Sequence, residues 1–171
     1  MIIQFGHNDG GRPDASSKFR GSVPGIGENT QDVQMPDGTT ETVHSFGWYL
    51  RTYARTARAK GALVILCSPI PHKKFDGSGK FVRDWGQWRD WIATCAKDEG
   101  ASFVDLSEII ASGYDKLDQT TVEGFFEDKR THTNATGSLF NAKAVVSGVR
   151  GIPSAPLDPF LNTEGKRIPL P

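Results

Sequence analysis

The segment FFEDKRTHTNATG places His132 four residues after Asp128, just before a predicted helix. A carboxylate held against an imidazole fixes the tautomer of the ring and stabilises the imidazolium, as in the acid–base relay of acyl-transfer enzymes. A polar loop that caps the following helix through Asn134 would have the same composition. The spacing leaves both interpretations open.

A second candidate lies at the end of the run IIQF, where Gly-His-Asn-Asp follows directly. The side-chain amide of Asn8 could point its N–H donors into a crevice, which is one way to build an oxyanion hole. The alternative is an Asx turn formed by Asn8 and Asp9 as the strand ends. His7 and His72 also fall at predicted strand ends or in loops, a setting typical of functional residues.

Other chemistries have little support in the sequence. The chain has 171 residues and equal numbers of basic and acidic side chains, 20 of each, so charge favours neither a nucleic-acid partner nor a membrane surface. The longest apolar run, ALVILC, is too short to cross a bilayer. No GxSxG, Walker, HExxH or GxGxxG motif occurs, and the histidines lack metal-ligand spacing. We therefore predict no metal or cofactor, and we interpret Cys67 and Cys95 as buried free thiols.

Apolar periodicity predicts the elements that must position these residues. Strands are expected at 2–5, 62–68 and 102–106, and helices at 45–61, 85–100 and 134–151. This alternation predicts a parallel α/β sheet, whose ligands gather at the carboxyl ends of the strands. GHND and SPIPHKK follow two of those ends.

The remaining residues are predicted as loop. A small hairpin is possible at MPDGTT within residues 10–44, and the Pro-rich tail 151–171 is expected to run extended. The last helix has apolar residues at helical spacing, which we expect to face the core. They are Leu139, Ala142, Val145, Val146 and Val149.

Together, IIQFGHND after a strand and DKRTHTNATG before a C-terminal helix resemble the SGNH (GDSL-type) hydrolases, within them the rhamnogalacturonan acetylesterase branch. The resemblance implies a flavodoxin-like three-layer α/β/α sandwich with a parallel sheet. The hydrolase domain would span residues 1–150, starting from the family's third conserved block, with 151–171 as a C-terminal extension. It implies a Ser-His-Asp ester hydrolase that removes acetyl groups from rhamnogalacturonan, a pectin backbone. It also implies that relatives are secreted or periplasmic.

Carried over by position, the resemblance makes His132 the general base, Asp128 its orienting acid and Asn8 an oxyanion-hole donor. We predict substrate contacts at the strand ends and the following loop, and cations in these loops suit an acidic sugar polymer. The predicted contacts are His7, Asp9, Arg12 and His72, and the cations are Arg12, Arg20, Lys73, Lys74, Lys129 and Arg130.

Two departures from the family pattern qualify this assignment. The commonest spacing in the family is Asp-x-x-His, whereas three residues separate Asp128 from His132 and Lys129 holds the usual place of the acid. The family's Gly-Asp-Ser nucleophile block also occurs nowhere in the 171 residues. We therefore expect an N-terminally incomplete hydrolase domain that is inactive by itself. The alternatives are a catalytically silent carbohydrate-binding relative and an unrelated flavodoxin-like binding domain.

Overall fold

The computed structural model describes residues 1–9, 21–153 and 156–171. Strands and helices alternate along most of the chain. In order they are β1 (Ile2–Ile3), β2 (Thr30–Gln34), β3 (Thr40–His44), α1 (Phe46–Ala59), β4 (Ile65–Cys67), α2 (Gly86–Asp98), β5 (Ser102–Val104), α3 (Leu106–Tyr114), α4 (Gln119–Glu123), α5 (Ala135–Arg150), a 3-10 turn (Asp158–Phe160) and α6 (Thr163–Arg167).

Three strands form a sheet in the order β1-β4-β5. β1 and β4 are parallel, with Ile2 opposite Ile65 and Ile3 opposite Leu66. The strands are shorter than the predicted apolar runs, and after β1 the chain passes through Gln4 and Phe5 into a turn at Gly6. Parallel strands connected through helices confirm the predicted α/β class.

The described contacts divide the chain into two compact units: Met1–Pro69 with Gln87–Phe103, and Ile70–Gly86 with Val104–Pro171. The core of the first unit forms between the sheet and helices α1 and α2. The apolar spacing of α1 buries its inner stripe there, as expected of an amphipathic helix. The buried core consists of Ile3, Phe46, Leu50, Ala54, Ala57, Val64, Leu66, Ile92, Cys95 and Ala96.

The second unit packs α3 against α5 through small residues. A Cβ at Gly148 would lie 2.9 Å from Ile109 Cδ1 of α3 and 2.3 Å from the Val104 side chain of β5, and one at Gly113 would lie 2.7 Å from the Phe140 ring. The helices can approach this closely only because both positions are glycine. The buried hydroxyl of Tyr114 donates to Asn141 at 3.2 Å across the same interface.

This packing corrects the predicted inner face of the last helix. Leu139 is 57% exposed and Ala142 is also exposed, whereas the buried side contains Gly137, Asn141, Ala144, Ser147, Gly148 and Val149. Of the predicted residues, Val149 is buried and Val145 and Val146 are half-buried. Hydrophobic periodicity gives no weight to glycine, serine or asparagine, so it missed most of the buried side.

Two segments predicted to lack regular structure are helical. α3 and α4 lie in a region predicted as loop, and α6 and the 3-10 turn lie in the tail predicted to be extended. Helices α3 and α4 start at aspartate caps: Asp105 accepts from the Glu108 amide at 3.3 Å and Asp118 from the Thr121 amide at 2.9 Å. Such caps fix a helix start without a long apolar pattern.

Two smaller predictions are confirmed. β2 and β3 form an antiparallel hairpin around MPDGTT, whose turn is closed by Asp37 accepting from the Thr39 amide at 2.9 Å. Cys67 and Cys95 are buried free thiols, and burial raises the pKa of Cys67 to about 11. Within the described residues, no helix has the length and apolar character needed to cross a membrane.

Candidate active site

The predicted acid and base lie in one short loop, residues 127–132, which we call the acid–base loop. Its two ends are held together, since the Glu127 amide donates to the His132 carbonyl at 2.8 Å. An isolated β-bridge between Phe126 and Thr133 closes it from outside. The loop then enters α5, which Asn134 caps by accepting from the amides of Thr136 and Gly137. The helix-capping interpretation of this segment is therefore also correct.

Asp128 organises the loop with both carboxylate oxygens. Oδ1 accepts from the backbone amides of Arg130, Thr131 and His132 at 2.8, 2.6 and 3.1 Å. Oδ2 lies 2.5 Å from Nδ1 of His132. The hydrogen bond from the Arg130 amide, followed by those from Thr131 and the His132 ring, holds the pKa of Asp128 well below its usual range. The carboxylate is therefore ionised at neutral pH.

An ionised Asp128 determines the hydrogen-bonding role of His132. A carboxylate can only accept, so Nδ1 carries the proton and donates to Oδ2, which leaves the Nε2 lone pair available. The His132 side chain is 77% exposed and that of Asp128 is 42% exposed. This geometry suits a general base that takes a proton from a group outside the loop.

The unusual spacing does not separate the pair. Three residues between the acid and the base leave room for a turn in which successive amides converge on Oδ1, and Lys129 lies exposed within it. The longer loop therefore brings Asp128 into contact with His132.

The first unit contains the strand-end turn, Gly6–Asp9. The Asp9 amide donates to the Gly6 carbonyl at 3.0 Å. Gly6 has φ +138°, and a Cβ there would lie 3.1 Å from Pro69 Cγ. Glycine is therefore required at this point.

The side chains of the strand-end turn differ in their contacts. Asp9 Oδ1 accepts from the Ser22 hydroxyl at 2.8 Å, and His7 Nδ1 lies 3.5 Å from Gln4 Nε2. Asn8 is exposed, and its amide makes no hydrogen bond to any other residue that the structure describes. It is thus in a position to donate to a ligand.

A pocket of about 370 Å³ lies along this turn. Residues 4–9 form one wall and four apolar or aromatic side chains of α1 form the other: Phe46, Tyr49, Leu50 and Tyr53. Phe5 and Tyr53 are in contact at 5.5 Å between ring centres. An apolar wall opposite a few polar groups is typical of small-molecule sites.

His72 belongs to the second unit and has a different environment. Its Nδ1 lies 2.9 Å from Asp84 Oδ2, and its ring stacks on Trp85 at 4.7 Å. The side chain is only 10% exposed. Direct substrate contact therefore has less support for His72 than for His7 or Asp9.

The structure thus brings Asp128 and His132 together in the second unit and places His7, Asn8 and Asp9 in one turn of the first. Arg12 and Arg20 lie outside the described residues. Lys73 contacts the acid–base loop, which its position in the sequence does not predict. Its Nζ donates to the Asp128 carbonyl at 2.7 Å. The described part of the chain contains no group of three or more His, Cys, Asp or Glu side chains that could hold a metal ion.

Residues 1–139 match the profile of the GDSL-like lipase/acylhydrolase family. The match spans both the strand-end turn and the acid–base loop. The chain belongs to this family. That membership rules out the unrelated flavodoxin-like binding domain considered above.

The chain is also similar to individual curated proteins. The chain is 33% identical over 149 residues to a rhamnogalacturonan acetylesterase of Emericella nidulans, covering 87% of this chain and 60% of the relative. It is 23% identical over 180 residues to the rhamnogalacturonan acetylesterase RhgT of Bacillus subtilis, covering 97% and 67%. It is 25% identical over 135 residues to the probable rhamnogalacturonan acetylesterase YesY of the same organism, covering 75% and 62%. The chain thus spans about 60 to 67% of the length of these relatives.

Among solved structures, the B. subtilis protein YxiM matches with a TM-score of 0.55 and 27% identity. The match covers 61% of this chain and 30% of that one. With the family match, it supports the predicted SGNH-type α/β fold.

Proposed function

We propose that this chain carries the acid–base machinery of a carbohydrate acetylesterase that acts on O-acetylated rhamnogalacturonan. The observation that carries the proposal is the contact between Asp128 and His132, 2.5 Å apart in a loop whose amides converge on the acid. The names of the curated relatives supply the ester and the polymer.

The proposed mechanism assigns one step to each residue. His132 Nε2 accepts the proton of a serine hydroxyl while the serine oxygen attacks the acetyl carbonyl carbon. Asp128 keeps the ring in the Nδ1–H tautomer and stabilises the imidazolium, and the Asn8 amide donates to the tetrahedral oxyanion. The imidazolium then protonates the departing sugar oxygen, which leaves as a hydroxyl. In the second half, His132 takes a proton from water as it attacks the acetyl-serine, and returns it to the serine oxygen as acetate leaves.

None of the serines in the 171 residues is assigned as the nucleophile. A Gly-Asp-Ser block does not occur among them, and removal of a nucleophile lowers catalysis by orders of magnitude. We therefore propose that the 171-residue chain binds its substrate without turning it over at a measurable rate. The same observation favours the second candidate, a carbohydrate-binding protein without activity.

Cations near the acid–base pair support an acidic polymer as substrate. Lys129 and Arg130 are exposed on the acid–base loop itself, and Lys74 is exposed on the segment that contacts it. A guanidinium can form a two-pronged contact with a galacturonate carboxylate. His7 and Asp9, which flank Asn8 in the strand-end turn, are the proposed contacts to sugar hydroxyls.

Acetate release from acetylated rhamnogalacturonan tests the proposal on two proteins. One is the 171-residue chain, and the other carries an added strand–helix unit with the family's Gly-Asp-Ser block ahead of Met1. We expect acetate only from the extended protein, and none when its Gly-Asp-Ser serine is replaced by alanine. A folded extended protein that binds the polymer but releases no acetate would favour the silent binding protein. Failure to bind the polymer would contradict both candidates.

A further inference from the structure

Lys73 contacts the acid–base loop at two points. Its backbone amide donates to the Arg130 carbonyl at 2.7 Å, and its Nζ donates to the Asp128 carbonyl at 2.7 Å. The ammonium also lies 5.4 Å from the centre of the Phe126 ring, where the loop begins. Lys73 therefore binds two carbonyls of the loop, and its ammonium lies near the ring of Phe126, the residue that precedes the loop.

The segment that carries Lys73 is itself fixed. The Trp85 indole donates to the Ile70 carbonyl at 2.8 Å, and the same ring stacks on His72. His72 is further held by Asp84, 2.9 Å from its Nδ1. The buried imidazole of His72 thus supports the residue next to it, which explains a polar group at this depth that the proposed mechanism does not use.

Peptide planarity links these contacts to the carboxylate. The Arg130 carbonyl and the Thr131 amide belong to one planar peptide and point in opposite directions. When the carbonyl is bound to Lys73, the amide on the other side is aimed at Asp128 Oδ1, to which it donates at 2.6 Å. The backbone of Asp128 is held directly, through its own carbonyl.

We propose that Lys73 is a positioning residue that keeps the acid–base loop in the conformation where Asp128 contacts His132. The need for it follows from the loop, which is exposed and has one residue more than the Asp-x-x-His spacing. Each additional residue adds backbone entropy that must be lost when the loop is ordered. The role of the pair in catalysis rests on the proposed function, whereas the restraint itself can be measured on the chain alone.

The test compares three variants of the chain: Lys73→Met, Lys73→Arg and the control Lys74→Met. Lys73→Met keeps the aliphatic stem and the backbone contact but removes the ammonium donor. Lys74→Met removes one charge from the adjacent exposed residue. Two readouts apply: amide hydrogen exchange at Arg130, Thr131 and His132, and the NMR signal of the His132 Nδ1 proton.

We expect Lys73→Met to speed exchange of these amides by roughly three- to tenfold, the effect of losing one exposed charge-assisted hydrogen bond. The Nδ1 proton signal should broaden or disappear. Lys73→Arg should restore most of the protection because it keeps a cationic donor, and Lys74→Met should leave the exchange of these amides as it is in the parent chain. Unchanged exchange in Lys73→Met, or equal losses in Lys73→Met and Lys74→Met, would overturn the proposal.

A measurement on the unaltered chain covers the case in which Lys73→Met does not fold. The Lys73 ammonium should show a scalar coupling across its hydrogen bond to the Asp128 carbonyl carbon, and an ammonium that rotates freely in solvent would contradict the proposal. In the extended protein, Lys73→Met should lower kcat about as much as it raises loop exchange, with little change in KM. If the extended protein releases no acetate while Lys73→Met still alters exchange, the proposed function fails and the positioning role remains.

Discussion

The acid–base loop and the strand-end turn are held in their conformations by different kinds of interaction. In the loop, a single carboxylate binds three amides and a ring that all lie within four residues of it along the chain. In the turn, one backbone hydrogen bond closes four residues, and its shape depends on Gly6 and on the Pro69 ring 63 positions away. The carboxylate network of the loop is local, with Lys73 as a restraint from a remote segment, whereas the shape of the turn depends on distant packing.

This difference matters for function because the two regions would do different work. A base needs its acid partner in contact before substrate arrives, which a local hydrogen-bond network supplies. An oxyanion donor needs its N–H free until charge develops, and the exposed Asn8 amide has no partner among the described residues. The proposed base is therefore already in contact with its acid partner, whereas the proposed donor is exposed.

The largest expected effect comes from removing the base. His132→Ala in the extended protein should lower kcat by about 10⁴-fold or more, as loss of a relay member does in serine hydrolases. Added imidazole should recover part of the rate, because the vacated position faces solvent. Acetate release checks both, and a thermal melt equal to that of the parent confirms that folding is intact. A rate within tenfold of the parent would show that His132 is not the base.

A smaller loss is expected from the strand-end turn. Asn8→Ala and Asn8→Asp in the extended protein should each lower kcat by about 10² to 10³, the usual effect of one oxyanion donor. Asn8→Asp keeps the shape but replaces the donor by a carboxylate, so its loss should be at least as large as that of Asn8→Ala. KM should change little because the donor acts on charge that develops in the transition state. Full activity in Asn8→Asp would make the turn a purely structural feature.

The sequence predicted the locally specified parts of the molecule well. The spacing of Asp128 and His132 left a helix-capping loop open as well, and their assignment as acid and base came from the family resemblance. The structure places the two side chains 2.5 Å apart. The α/β class followed from apolar periodicity, which is also a local property of the sequence. The pairing of MPDGTT as a hairpin depended on turn residues alone.

Contacts between segments that are distant in sequence could not be predicted from the sequence alone. The inner face of α5 depends on how closely Gly148 approaches Val104, and apolar periodicity contains no such information. The burial of His72 against Trp85 and the two contacts of Lys73 are likewise set by segments remote in sequence. Helices α3 and α4 were missed because their starts are marked by single aspartate caps.

The dependence of the strand-end turn on packing predicts a stability difference between two glycines. Gly6→Ala should destabilise the chain by about 2 to 3 kcal/mol, because a positive φ is strained and the new Cβ meets Pro69. Gly38→Ala is the control: φ is +85° and no atom lies within 4 Å of the added Cβ, so only strain of about 1 kcal/mol is expected. Urea unfolding midpoints measure both, and equal losses would mean that the Pro69 contact is relieved by movement.

The smallest effect tests whether the acid–base loop is as self-contained as its contacts indicate. The depressed pKa of Asp128 means that its contacts are fully present above the unfolded-state value, about 3.9, and are lost as pH falls through the lower folded value. Carboxyl-carbon NMR should therefore show Asp128 ionised below pH 3.9, with the amides of Arg130 and Thr131 shifting at the same midpoint.

His132→Gln separates the two sources of that shift. The Arg130 amide is the largest cause and the ring only the third, so the pKa of Asp128 should stay below its usual range when the ring is removed. A return to the ordinary value in His132→Gln would mean that the ring holds the carboxylate and the amides only follow it. In that case the order of the loop would depend on the protonation of its own base, and the contrast with the strand-end turn would weaken.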